Sequence, residues 1–143
     1  MGTRRAVQSI SVEIAELIAA CDEAFVVSAE CSAHLAEVRN DPTAARCLLA
    51  ALDLGDACFA LTHLLLRFDA ADPAMVSTIV RAGRKAAAEC AEACERALHA
   101  TQDAFECAAA ARGCEYACSR LLAMLALIEA PQRPTLRLVP ALN

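Results

Sequence analysis

From Cys90 to Cys118 the chain reads CAEACERALHATQDAFECAAAARGCEYAC, five cysteines and a histidine in one stretch. An α-helix turns once every 3.6 residues. Cys90 and Cys94 therefore stack one turn apart, and Cys107, Cys114 and Cys118, at spacings of seven and four, share one face of a second helix. Folding the two helices antiparallel about Thr101-Gln102 predicts Cys90 roughly opposite Cys114, with Cys94 near the level between Cys107 and Cys114. Two facing thiol stripes of this kind make a soft-metal site.

The remaining composition narrows the setting. A chain of 143 residues is the size of one domain that can bury its own core. It is 58% hydrophobic but only 3% aromatic, so Ala, Leu, Val and Cys must do the packing. The formal charge of -5 and the lack of a basic patch exclude nucleic acid and anionic membranes as expected partners. Nine cysteines cannot all pair within one chain, which favours metal binding or plain packing over disulfides. Arg4-Arg5 would suit an export signal, but Glu13, Glu16, Asp22 and Glu23 interrupt the apolar region such a signal needs, so a cytoplasmic location is expected. No run of about 18 apolar residues is free of charge, and no membrane span is expected.

Taken in order, residues 1 to 8 read as a frayed terminus. A first helix is predicted from Ser9 or Ser11 to about Val38, carrying Cys21, Cys31 and His34. Asn40-Asp41-Pro42 is a stop followed by a capped restart, and a second helix runs to about Phe68. Cys47 and Cys58, eleven residues apart, share a face of it, and Gly55 between them would permit a close helix contact. His63 reads as a surface or core-edge residue. Asp72-Pro73 repeats the restart and predicts a third helix to about His99. Asp103 with Glu106 has the form of a capping box and starts a fourth helix that reaches about Glu129. Its second half, LLAMLALIEA, is apolar on most sides, as for a central helix or one covered by a second copy of the chain.

Four helices with short connections predict an all-α, antiparallel up-down-up-down bundle over residues 1–130. The connections near 41 and 101 then share one end. His34, Cys47, Cys94, His99 and Cys107 fall near that mouth, with Cys21, Cys31, Cys58, Cys90, Cys114 and Cys118 deeper. Residues 131–143, PQRPTLRLVPALN, form a Pro-bounded, extended C-terminal tail that could dock on a protein partner or on its own bundle.

These spacings resemble those of the copper storage protein family, cysteine-rich four-helix bundles with series of Cys-x-x-x-Cys and Cys-x-x-Cys. The matching parts are Cys47 to Cys58, the Cys90-x-x-x-Cys94 pair with the following His99, and Cys107, Cys114 and Cys118, within roughly residues 14 to 124. The resemblance implies thiolates lining the bundle and holding many Cu(I) ions, with histidines near the open end. Leu54, Ala104, Ala111 and His34 stand at family-like cysteine positions, which implies a smaller cluster here.

The candidate metal ligands are thus Cys21, Cys31, Cys47, Cys58, Cys90, Cys94, Cys107, Cys114 and Cys118, with His34 and His99. Thiolates select Cu(I), Zn(II) or an iron–sulfur cluster. Cys90, Cys94, Cys114 and Cys118 could offer zinc its four ligands. The expected function is non-catalytic storage or buffering of Cu(I). The alternatives are a single metal or iron–sulfur cluster serving a partner enzyme, and a structural bundle whose cysteines only pack. No Gly-rich phosphate loop and no Ser, His, Asp set argues for an enzyme.

Overall fold

A computed structural model of the protein describes residues 2–129. It contains α1 (Gly2–Glu37), α2 (Pro42–Leu65), a short 3-10 turn (Phe68–Ala70), α3 (Pro73–Arg96) and α4 (Asp103–Glu129). Each helix packs on its neighbours in chain order, and α4 closes the ring on α1. The result is the four-helix bundle that the punctuation predicts. The tail 131–143 lies outside the described residues.

Local chemistry sets the two restarts. Asp41 Oδ1 accepts the Thr43 N–H at 2.9 Å and Asp72 Oδ1 accepts the Ala74 N–H at 3.1 Å, each followed by a proline whose missing N–H costs nothing there. Elsewhere the boundaries differ from expectation. α1 begins at Gly2, because no proline or further glycine interrupts the run and buried Ile10 ties its first turns to the core. α2 stops at Leu65, three residues early, and the chain tightens into the 3-10 turn. α3 stops at Arg96, where Ala97 leaves helical geometry with its N–H on Cys94 O. α4 starts without the expected capping box: the Thr101 hydroxyl accepts the Asp103 N–H, and the Asp103 carboxylate turns elsewhere.

The core sorts by size along the bundle axis. Towards the 66–72 connection it is Leu17, Leu61, Val76, Val80 and Leu121, all fully buried. Towards the 38–41 and 97–102 connections it is chiefly alanine and cysteine, with Leu35 of α1 among them. Close approach is needed at Gly83 of α3, where a Cβ would overlap Leu61 Cδ1 of α2; at Gly55 a Cβ would make only an ordinary 3.5 Å contact with Ser28 Oγ. Lower down, Arg120 grips buried Glu13 with two donors, Nη2 to Oε1 at 2.7 Å and Nε to Oε2 at 3.0 Å, which ties α4 to α1. By length and composition alone α2 is long and apolar enough to cross a bilayer. Its Cys47, Ala51, Leu54, Cys58 and Leu61 stripe faces the bundle core, which is how the inner helix of a bundle also reads.

Candidate metal centre

All nine cysteines are free and buried. They divide into two clusters. Nearer the mouth, Cys31 of α1, Cys94 of α3 and Cys107 of α4 have sulfurs within 4.8 Å of one another. Cys47 of α2 joins them with its Sγ 3.1 Å from that of Cys94, and Cys90 lies 3.9 Å from Cys94 and 3.8 Å from Cys107. Deeper, Cys21, Cys58 and Cys114 form a second group with the same 4.8 Å limit. Cys118, also buried, lies one turn beyond Cys114 on α4. In this half α3 buries Ala87, Gly83 and Val80 and adds no thiol.

Three sequence expectations change here. Cys90 faces Cys107 rather than Cys114, because α3 ends before the assumed fold point and the hairpin closes in a tighter register. Cys31 and Cys90 belong to the mouth cluster and not to the deep one. The four-thiol zinc set Cys90, Cys94, Cys114 and Cys118 is therefore split between the two clusters. Leu54, Ala104 and Ala111 are fully buried and point to the same interior as the thiols.

Within each cluster neighbouring thiols favour the charged form of some sulfurs and disfavour it in others. Hydrogen bonds from Cys107, Cys47 and Cys94 hold Cys31 far below the ordinary thiol range. Cys90, similarly served by Cys107 and Cys94, is drawn down to about 5. Cys47, which donates to Cys31, is pushed up to about 12. In the deep cluster Cys118, Cys21 and Cys58 donate to Cys114 and lower it, and the same bonds raise Cys58 and Cys118. Each cluster thus carries a preferred thiolate, the form of sulfur that binds metal.

Neither histidine joins a thiol group. Both stand exposed at the mouth, each on an aspartate: His34 Nδ1 on the Asp103 carboxylate, and His99 Nε2 donating to Asp41 Oδ2 at 2.8 Å. Asp103 holds His34 above the ordinary imidazole range. Asp41 is lowered chiefly by His99 and also by the Thr43 N–H, so one carboxylate caps α2 and orients an imidazole. The second nitrogen of each ring is left for another ligand, the arrangement common to metal-binding histidines. Sequence reading took Asp41 and Asp103 as caps only. The available signal was that both start helices at the end where the histidines lie.

No curated protein sequence matches the chain. A solved variant of Streptomyces lividans Ccsp with one histidine replaced by alanine is 25% identical, has a TM-score of 0.75, and covers 80% of this chain and 96% of its own. Ccsp loaded with 10 copper equivalents is 25% identical, with a TM-score of 0.73 and coverage of 78% and 84%. The cytosolic copper storage protein of Streptomyces lividans, described with five coppers, shares the fold at 24% identity, a TM-score of 0.76 and coverage of 81% and 97%. The copper storage protein (Csp) family profile matches residues 8–123, and with its thiols gathered inside four helices the chain belongs to that family.

Proposed function

We propose that this protein takes up copper as Cu(I) in the cytoplasm and stores it, without catalysing a reaction, on the thiolates of Cys31, Cys47, Cys90, Cys94 and Cys107 and of Cys21, Cys58, Cys114 and Cys118. The observation that carries this reading is the gathering of all nine cysteines into two buried clusters, each with three sulfurs in mutual reach. Cu(I) is soft and accepts two or three sulfurs without a fixed polyhedron, so bridging thiolates let several ions share one cluster. Each thiol that binds gives up its proton, and the incoming charge replaces the proton's. His34 and His99, exposed at the mouth, serve as first ligands that pass the ion inward to sulfur.

Anaerobic titration with Cu(I) against bicinchoninate, with elemental analysis of the product, tests this. More than two copper ions per chain are expected. Replacing Cys31, Cys94 and Cys107 by Ala should remove the mouth share and leave the deep cluster loading; replacing Cys21, Cys58 and Cys114 should do the reverse. Two ions or fewer in the unaltered protein would overturn the storage reading, as would loss of all binding in either triple variant while the fold persists.

A further inference from the structure

The two thiol clusters are not continuous. Between them the bundle is filled by Ala24, Ala51, Leu54, Ala87 and Ala111, all at most 1% exposed. None of the five carries a side-chain donor, and buried Ser28 at the same level offers only a hard hydroxyl oxygen, its O–H donated to Phe25 O. Along α4 the gap from Cys107 to Cys114 is about 10 Å, and along α1 from Cys31 to Cys21 about 15 Å, at 1.5 Å per residue. A soft cation moves through protein by exchanging one soft ligand for the next, and a bare charge in a layer without sulfur or imidazole is strongly unfavourable. Copper admitted at the mouth therefore has no stepping stones to the deep cluster.

The side of the bundle offers another way. Between α1 and α2 a cleft of about 250 Å³ has Cys21 and Cys58, two members of the deep group, in its lining. Around it stand Asp22, Phe25, Phe59 and His63. Phe25 and Phe59 are 45% and 59% exposed, in a chain with only four phenylalanines and no tryptophan. The Phe59 and His63 rings lean together with centroids 4.4 Å apart. Cys21 and Cys58 themselves are at most 1% exposed, so the cover is closed at rest. Phe25 and Phe59 are exposed, and such side chains change rotamer in picoseconds to nanoseconds.

The geometry points to a second, lateral entrance: copper is captured by His63 and Asp22 at the cleft and passed to Cys58 and Cys21 directly, without crossing the mouth cluster. Imidazole and carboxylate outside with thiolate inside give a gradient of rising softness, so exchange runs inward. Phe25 and Phe59 keep water and larger thiol reagents from the sulfurs. This inference rests on copper being the cargo.

The test follows each cysteine separately, by pulse alkylation and peptide mass spectrometry, in the full chain. Without copper, Phe59→Ala should speed alkylation of Cys58 and Cys21 about tenfold, the equivalent of lowering one opening barrier by about 1.4 kcal/mol, and leave Cys94 unchanged. During loading from Cu(I)–bicinchoninate, protection of Cys58 and Cys21 should keep its rate when Cys31, Cys94 and Cys107 are all replaced by Ala. It should slow about tenfold in Asp22→Asn/His63→Ala, a surface pair whose loss leaves the core intact. Normal total uptake with Cys58 protected only after Cys94, and unmoved by these variants, would overturn the lateral entrance alone. Failure of the unaltered protein to take up copper would overturn the storage reading, and the entrance with it.

Discussion

Cys47 Sγ on α2 and Cys94 Sγ on α3 lie 3.1 Å apart, closer than Cys90 Sγ lies to Cys94 or Cys107, and join residues 47 positions apart in sequence. A pair in contact should be energetically coupled. In a double-mutant cycle on the copper-free protein, Cys47→Ala and Cys94→Ala should depart from additivity by about 0.5–1 kcal/mol, as expected for one modest hydrogen bond. Cys47→Ala with Cys118→Ala, drawn from different clusters, should add within about 0.5 kcal/mol. Urea unfolding reads both. Additivity in the first pair would mean that the sulfurs merely touch.

The thiols also predict a pH dependence. In the folded, copper-free protein Cys47 is raised to about 12, and Cys58, Cys94, Cys107 and Cys118 move in the same direction, chiefly through the hydrogen bonds they donate. A thiol ordinarily ionises near pH 9. Between that point and the folded value the native state binds more protons than the unfolded chain, so stability must fall as pH rises through this window. Cys31, Cys90 and Cys114 are lowered and act oppositely, losing their contribution as pH falls below 9. Raised thiols outnumber lowered ones, so alkaline pH should dominate. Thermal melts from pH 8 to 11 should show a falling Tm without copper and a flat one with copper bound, because metallated sulfur has no proton to lose. A flat profile in both states would contradict the donor assignment.

At the mouth, the His34–Asp103 pair joins the end of α1 to the start of α4. The carboxylate raises the imidazole's proton affinity, first through the hydrogen bond and then through charge. The folded value lies above the unfolded one, so the pair's contribution is complete at low pH and is lost as pH rises through the folded value. In Asp103→Asn the NMR titration midpoint of His34 should fall back towards the ordinary histidine range. An unmoved midpoint would show that Asp103 does not set the proton affinity of His34.

Particular residues show what could be read in advance. Asp41-Pro42 and Asp72-Pro73 announce helix starts because capping is chemistry between residues two apart, and both caps are present. Most inward positions were legible: all nine cysteines are buried, as are the family-like positions Leu54, Ala104 and Ala111, whereas His34, also read as such a position, is exposed. Hairpin register was not. Whether Cys90 meets Cys107 or Cys114 depends on where α3 stops, and Arg96 is followed by no proline or glycine to mark it. The division of the thiols into two clusters depends on that register across all four helices. Nor could spacing reveal that Asp41 and Asp103 receive imidazoles from 58 and 69 residues away, since each already had a local role as a cap.

Gly83 and Gly113 separate glycine used for close packing from glycine that is merely tolerated. Both sit inside helices, where glycine costs about 1 kcal/mol relative to alanine. At Gly113, exposed on α4, a Cβ would meet nothing within 4 Å. Gly113→Ala should therefore stabilise the bundle by up to about 1 kcal/mol. At Gly83 the same methyl would overlap Cδ1 of Leu61 and lie 3.3 Å from its Cγ. Leu61 is itself fully buried, so its side chain has little room to rotate away. Overpacking of this kind costs about 1–3 kcal/mol, which exceeds or cancels the helical gain. Urea unfolding should place Gly83→Ala below Gly113→Ala by about 1–3 kcal/mol. Equal stabilisation of the two variants would show that Leu61 yields freely, and that α2 and α3 do not depend on glycine for their separation.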